Sequence, residues 1–356
     1  MTVRHHNSFD LLRITFALFV IITHAYPLTG MPELDWLAQI TSGQISFSNL
    51  AVSGFFIISG FLVTKSLYRS GNVLTFYLKR VVRIYPGLFT VLLLTVLLAW
   101  IPSPDTLRQY LHNSSLRSYI TSNLMLSLQP GINGVFEKLP YPKVINGSIW
   151  TIAYEACFYL ILPVLLLLPH KIWKYATGAV LVFCYFTFLY CVFKHPLVLQ
   201  KSVYSLQLYF ILNYGAYFAA GATLAVLPIF NRLTKPVLGA VIVLMVVSLW
   251  LKFYPFIQYL VYPVVVLGLG GLEPPVWVQR LLKKTGDISY GIYLYAFPVQ
   301  QTLMFYFGFT HLSLMFWSAV VTLPLGYCSW HLVEKQAMHR LSRYLKSASR
   351  HTQPPL

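Results

Sequence analysis

The chain has 356 residues, 57% of them hydrophobic and only 10% charged, with a mean hydropathy of +0.65. A soluble domain carries about a quarter charged residues, so the composition excludes a soluble globular fold and indicates an all-α, polytopic membrane protein. The formal net charge of +17 would suit nucleic acid, but the basic residues fall mainly between apolar runs, so topology accounts for them and no nucleic-acid partner is expected.

A bilayer core needs about 20 mostly apolar residues per helix. Runs of that kind fall near 10–28, 47–68, 84–101, 148–168, 174–193, 204–227, 236–252, 255–272, 288–308 and 312–332, which gives about ten transmembrane helices. The eighth is interrupted by Pro263, Gly268, Gly270 and Gly271. No internal repeat is visible, which weighs against an inverted-repeat transporter. The first run follows Arg4 as a signal peptide would, but "HAYPLTG" offers no small-x-small cleavage site, so it reads as a retained span.

With the N-terminus in the cytoplasm, 19 of the 26 Lys and Arg residues fall on or at the edge of that side, among them Arg4, Arg69, Lys79, Arg80, Arg83, Arg232 and Arg350. That bias puts both termini in the cytoplasm. A membrane domain over 1–335 and a basic tail over 336–356 follow. The one long outer segment, 102–147, has no span of its own and is long enough to cover or receive a substrate. Cys157, Cys184, Cys191 and Cys328 lie in apolar runs without ligand spacing, so neither a disulfide nor a metal site is expected.

Three polar features interrupt the apolar runs. Arg13 and His24, eleven residues apart, share one face of the first helix and stand about 16 Å apart along its axis. One face thus joins an inner cation to an outer titratable base. The plainer alternatives are Arg13 paired with Asp10 at i,i+3 and His24 as a buried hydrogen-bonder between helices. Glu155, in "GSIWTIAYEACFYLILP", falls by residue count at nearly the depth of His24, where a carboxylate would orient the imidazole. A purely structural Glu–His or Glu–Tyr contact is the alternative. Between the second and third spans, "FYLKRVVRIYPG" places Lys79, Arg80 and Arg83 in a basic inner hairpin, with Pro86 suited to the first turn of the next helix. Paired guanidinium groups grip phosphates, although anionic lipid at an inner loop asks for the same residues.

Together these features resemble the acyltransferase-3 family of polytopic membrane acyltransferases over essentially the whole chain. The Arg13–His24 spacing, "VSGFFIISGFLVTKS", "FYLKRVVRIYP", "SIWTIAYEACFYLILP", "GDISYGIYLYAFPVQ" and "HLVEKQ" carry the likeness. Ala296 stands where many members have a His. The extra esterase-like domain of some members is expected to be missing.

The resemblance implies acyl-CoA, acetyl-CoA most often, as donor, and a carbohydrate hydroxyl as acceptor. Arg80, Arg83, Lys79 and Arg13 would then hold the coenzyme phosphates. His24 would act as base or acyl carrier, with Glu155 and Arg13 supporting it. Tyr290, Tyr293 and Trp150 are candidates for substrate contact, though in a chain with 25 tyrosines they also read as core aromatics. Asp287 and Ser289 read as an N-cap of the ninth helix. The inner or plasma membrane is the expected location. Two rival readings fit the same residues: a proton-coupled transporter or flippase using His24 and Glu155 as a relay, and a glycosyltransferase, for which the outer loop carries only Asp105 and Glu137 as acids.

Overall fold

The computed structural model describes residues 8–70, 72–227 and 233–351, with side chains to residue 347. Arg4, Arg232 and the side chain of Arg350 lie outside the described residues. Each expected span is a helix: α1 (Phe9–Leu28), α2 (Phe47–Ser70), α3 (Val73–Ala99), α4 (Trp150–Ile161), α5 (Trp173–Lys194), α6 (Leu208–Val226), α7 (Lys235–Trp250), α8 (Tyr254–Gly271), α9 (Ser289–Phe307) and α10 (His311–Ser329).

Eight stretches among the described residues are long and apolar enough to cross a membrane. The other two helices differ for separate reasons. With 16 residues, α7 is about 24 Å long, short of a hydrocarbon core of about 30 Å. In α9, buried Gln300 and Gln301 dilute the apolar character. Gln300 donates to the Ile21 carbonyl (3.0 Å) and Gln301 to those of Tyr141 (2.8 Å) and Val144 (2.6 Å), so both amides are used inside the protein.

The third helix corrects the expected hairpin. It starts at Val73, where Asn72 caps it by accepting from the Thr75 N–H at 2.8 Å. Arg80 and Arg83 therefore sit on the helix itself, and Pro86 lies in its interior. Proline cannot supply a backbone donor there, but the neighbouring turn packs tightly on α9. Tyr290 donates to the Ile84 carbonyl at 2.9 Å. A Cβ on Gly87 would come within 2.8 Å of the Tyr290 ring. Packing thus carries the helix through the proline.

The most extensive helix contact is between α2 and α6. Lipid is as apolar as Leu, so membrane helices associate through close packing and small residues. Gly60 and Gly221 fill that role here. A Cβ at Gly60 would lie 2.1 Å from the Phe218 carbonyl oxygen, and one at Gly221 would lie 2.2 Å from that of Ile57. On the same helix, Gly54 lies against the Phe16 ring of α1.

At the far end of α1, the carboxylate of fully buried Asp35 ties three elements together. It accepts from the N–H groups of Ala38 (3.0 Å) and Phe47 (2.9 Å) and from the Thr23 hydroxyl. Thr23 in turn accepts from the Ser48 N–H at 2.9 Å. This fixes the start of α2 against α1. Segment 102–147 holds two short helices, Leu107–His112 and Ser114–Leu124, and no spanning helix, as expected. Its end is tied to α9 by Asn146, which donates to the Leu294 carbonyl at 2.9 Å. The only described strands, Ser202–Val203 and Leu206–Gln207, form a small antiparallel ladder before α6. Beyond α10 a π-turn, Trp330–Glu334, leads into a helix over Lys335–His351.

Gly221→Val should lower stability by about 1–3 kcal/mol through overpacking of two backbones, measured by unfolding in mixed micelles. Gly239→Ala, where an added Cβ meets nothing within 4 Å, is the control and should be neutral or stabilising.

Candidate functional site

Six of the nine residues singled out in the sequence line one cavity of about 120 Å³: Arg13, Arg80, Arg83, Glu155, Tyr290 and Tyr293. Arg13 comes from the second turn of α1. Arg80 and Arg83, three apart on α3, point the same way because residues at that spacing share a helix face. Glu155 comes from α4, and the tyrosines from α9. Ser59 of α2, Thr151 and Tyr159 of α4, and Ser289 of α9 complete the polar lining.

The cations of this cavity are not equivalent. Asp287, just before α9, pairs through one carboxylate oxygen with both Arg13 and Arg83, the latter at 2.6 Å. Its other oxygen accepts from the Ser289 hydroxyl at 2.6 Å. Arg83 also reaches Glu334 at 3.4 Å, and buried Glu334 accepts from the Ser329 hydroxyl at 2.9 Å. The sequence assigned Asp287 and Ser289 to a helix cap. The capping position is instead Ile288, with no side-chain cap bond. Asp287 is the counter-ion of two arginines, and Arg13 pairs with it and not with Asp10. The signal was available: with only nine Asp and Glu in a chain of +17, an acid at the end where the arginines gather has strong reason to be paired.

Burial opposes ionisation of Asp287, but Arg13 and Arg83 outweigh it and hold the carboxyl down at about 2, against an ordinary 3.8. Because the folded-state value is depressed, this contribution to stability is complete above about pH 4 and is lost as the pH falls through about 2.

Arg80 is different. Among the described residues it forms no ion pair, and its Nε is buried without a partner. Its guanidinium lies over the rings of Tyr159 (5.7 Å) and Phe76 (5.9 Å). This is the one cavity arginine whose fork is not already spent on a carboxylate.

Glu155 accepts from the Ser59 hydroxyl at 2.9 Å and from the Tyr159 hydroxyl. The expected Glu155–His24 contact is not formed, and His24 does not line the cavity. Equal depth left the direction of each side chain open, and Glu155 turns toward α2. The His24 ring packs edge-on against Phe297, with centroids 5.3 Å apart, and its Nδ1 is buried without a partner. Phe297 also presses on Gly147, where a Cβ would sit 2.7 Å from its ring. The next residue, Ser148, has a buried hydroxyl without a partner, and its carbonyl accepts from Tyr293 at 3.0 Å. Tyr293, a lining residue of the cavity, also shares a hydrogen bond of 2.6 Å with Thr151. A path of polar groups therefore leads from the cavity through Tyr293 to Ser148, and Phe297 stands between that turn and His24.

Lys79 and Trp150 do not line the cavity. Trp150 packs against Phe210 (4.5 Å), Tyr154 (5.5 Å) and Tyr214 (6.0 Å). Ala296 is fully buried. No group of three or more His, Cys, Asp or Glu among the described residues is arranged to hold a metal.

A multi-pass helical bundle with an arginine-lined cavity at one end and the His24 imidazole toward the other defines a polytopic membrane protein. Comparison with known proteins gives that class its family. The model described as an acyltransferase domain, acyltransferase-3, matches residues 6–331. The chain belongs to this family and is a membrane acyltransferase. It is 31% identical over 341 residues to a protein named "O-acetyl transferase" from Shigella phage Sf6, covering 94% of this chain and 97% of that one. It is 29% identical over 362 residues to "Nodulation protein 10" from Rhizobium leguminosarum bv. viciae, covering 94% of each. A shorter likeness, 31% over 149 residues, links 39% of the chain to 35% of "Acyltransferase MdmB" from Streptomyces mycarofaciens. No solved structure matches.

Asp287→Asn should destabilise the protein by on the order of 3 kcal/mol, because it leaves two half-buried guanidinium groups without their shared counter-ion. Equilibrium unfolding at pH 7 checks this, and a double-mutant cycle with Arg13→Leu should return a coupling above about 0.5 kcal/mol.

Proposed function

We propose that this protein is an O-acyltransferase that moves an acyl group, acetyl in the first instance, from cytoplasmic acyl-CoA to a hydroxyl of an extracytoplasmic or lipid-linked carbohydrate. The location that goes with this reading is the inner or plasma membrane. One observation carries it: an arginine with an uncommitted guanidinium shares a cavity with Glu155 and Tyr293, and the polar path from that cavity leads toward an imidazole with a free ring nitrogen.

In this reading Arg80 meets a coenzyme phosphate first. Planar guanidinium forks suit phosphate oxygens, and Arg80 need break no ion pair to do so. Arg83 and Arg13 add positive field while remaining tied to Asp287. Lys79, on the neighbouring face of α3, supplies only longer-range attraction. The thin pantetheine arm then runs along the cavity past Ser59 and Glu155. At about 120 Å³ the cavity is far below the roughly 300–1,000 Å³ that drug-sized ligands occupy, so donor binding must widen it.

At the far end His24 takes the proton from the acceptor hydroxyl through its free nitrogen as the oxygen attacks the thioester carbonyl. The C–S bond then breaks and the sulfur leaves as a thiolate. A thiol ionises near pH 8.5, so this leaving group needs little acid assistance, and base catalysis of attack matters more. Phe297 must turn aside for donor and acceptor to meet at His24. Tyr293 and Ser148 offer hydroxyls to the developing oxyanion. Glu155 sits with Ser59 and Tyr159 on the route and acts through them. The phage relative's name, "O-acetyl transferase", supports oxygen as acceptor and acetyl as the group.

The test uses purified protein in nanodiscs with labelled acetyl-CoA, following release of free CoA with and without a glycan extract. Acceptor-stimulated release is expected, and His24→Ala should reduce it by about 10²-fold or more while CoA binding survives. Arg80→Ala should weaken CoA binding by about 1.5–3 kcal/mol, the worth of a charge-assisted hydrogen bond. If folded wild-type protein neither binds nor cleaves the donor, the acyl-CoA reading falls.

A further inference from the structure

A second cavity, of about 560 Å³, lies between the outer halves of α2, α5, α6 and α8. Its volume falls within the range of small-molecule sites, roughly 300–1,000 Å³. It is separate from the arginine cavity. Phe56 lines that one and Tyr214 lines this one, and the two rings stack as a partition, 4.6 Å apart and 12° from parallel.

Its lining is polar without being charged. No Asp, Glu, Lys or Arg is among its lining residues, yet four side-chain amides are: Gln44, Asn49, Asn213 and Gln258. Polar groups that lose water are costly unless paired. Asn213 accepts from the Tyr259 hydroxyl at 2.6 Å, which leaves its NH₂ unused. Gln258 accepts from Tyr217 at 2.8 Å and gives one hydrogen to the Pro255 carbonyl at 3.0 Å, which leaves one donor. Gln44 donates to the Leu249 (2.7 Å) and Thr41 (3.0 Å) carbonyls, while its buried Oε1 has no partner among the described residues. Among the described residues, donors and an acceptor therefore stay open on a wall that is otherwise largely aromatic. Phe210 and Tyr214 lie parallel, 7° apart in plane and 5.7 Å apart in space.

That combination selects a ligand. An acyl chain would strand the amides without partners. A phosphate or carboxylate would meet no cation, and an ammonium no anion. A neutral ring that carries hydroxyls, each both donor and acceptor, with C–H faces to lay on aromatic rings, satisfies every group. We infer that this cavity binds a neutral sugar residue, holding part of the acceptor glycan apart from the unit being acylated. The assignment of that sugar to an acceptor rests on the acyl-transfer reading; the sugar site itself does not.

The test is saturation-transfer NMR on the full chain in nanodiscs, without donor, using the methyl α-glycosides of glucose, galactose and mannose, with glucose 6-phosphate and glucuronate as charged probes. Binding of at least one neutral glycoside, and of neither charged probe, is expected. Asn213→Leu combined with Gln258→Leu should weaken it about tenfold, the worth of two modest hydrogen bonds. Because those two amides also hold tyrosines, a second variant, Asn49→Trp, fills the cavity from an exposed position and should abolish binding with the melting temperature unchanged. No glycoside signal in wild type, signal undiminished in all variants, or equal binding of the charged probes would overturn the inference. Release of CoA from acetyl-CoA is read in parallel. Glycoside binding without any CoA release would leave this site standing and sink the acyl-transfer reading, while release without glycoside binding would do the reverse.

Discussion

The structure depends on one carboxylate. Asp287 stands between Arg13 and Arg83 and so joins the start of α9 to the first turns of α1 and to the middle of α3, which are distant in sequence. Glu334 extends the junction to the helix that follows α10. Taking a charge out of water costs several kcal/mol, and a chain with 26 cationic and nine acidic side chains has few acids with which to offset that. Two of the nine are committed here. The network therefore neutralises cations that the cavity would otherwise hold unpaired, and it fixes where their forks point.

This division explains why three arginines in one cavity need not do the same work. Arg13 and Arg83 are restrained by carboxylates on one side, so an incoming anion gains field from them without a free fork. Arg80 lies over aromatic rings, which favour a cation without consuming its hydrogen-bond donors. A phosphate that approached Arg83 would have to compete with Asp287 in a low-dielectric setting, whereas one that approached Arg80 competes with no carboxylate. Among the described residues Arg80 is therefore free of carboxylates, and the other two are held by them.

The bundle was legible in the sequence because apolar runs of membrane length need no tertiary information. All ten runs are helices, and the two that fall outside the length and apolarity limits do so by a short α7 and by the glutamines of α9. Direction was not legible. Residue counting places Glu155 near His24 in depth, but depth does not say which neighbour a side chain turns toward, and Glu155 turns to Ser59. Trp150 was lost in the same way, to packing on Phe210. Pro86 looked like a helix start because proline is poor inside helices in isolation; close packing of Gly87 on Tyr290 overrides that preference. Asp287 looked like a cap because the local pattern fits one, and only the fold reveals two arginines beside it. Arg13, Arg80 and Arg83 stood out because cations beside apolar runs are conspicuous, and they line one cavity.

The two ends of the bundle thus handle polarity by different means. At the end where the arginines gather, charge is balanced by charge, and the geometry is held by ion pairs that stay intact to well below neutral pH. Toward the other end, Asp35 is the buried carboxylate, satisfied by backbone N–H groups and the Thr23 hydroxyl and so not available to a ligand. Around it, His24, Ser148 and the amides of the larger cavity are neutral or weakly basic, and several of their atoms are left without partners. Unpaired neutral groups cost less to bury than unpaired charges, so they can wait for a substrate without a counter-ion. Such an asymmetry suits the proposed substrates, an anionic donor on one side and an uncharged hydroxyl acceptor on the other.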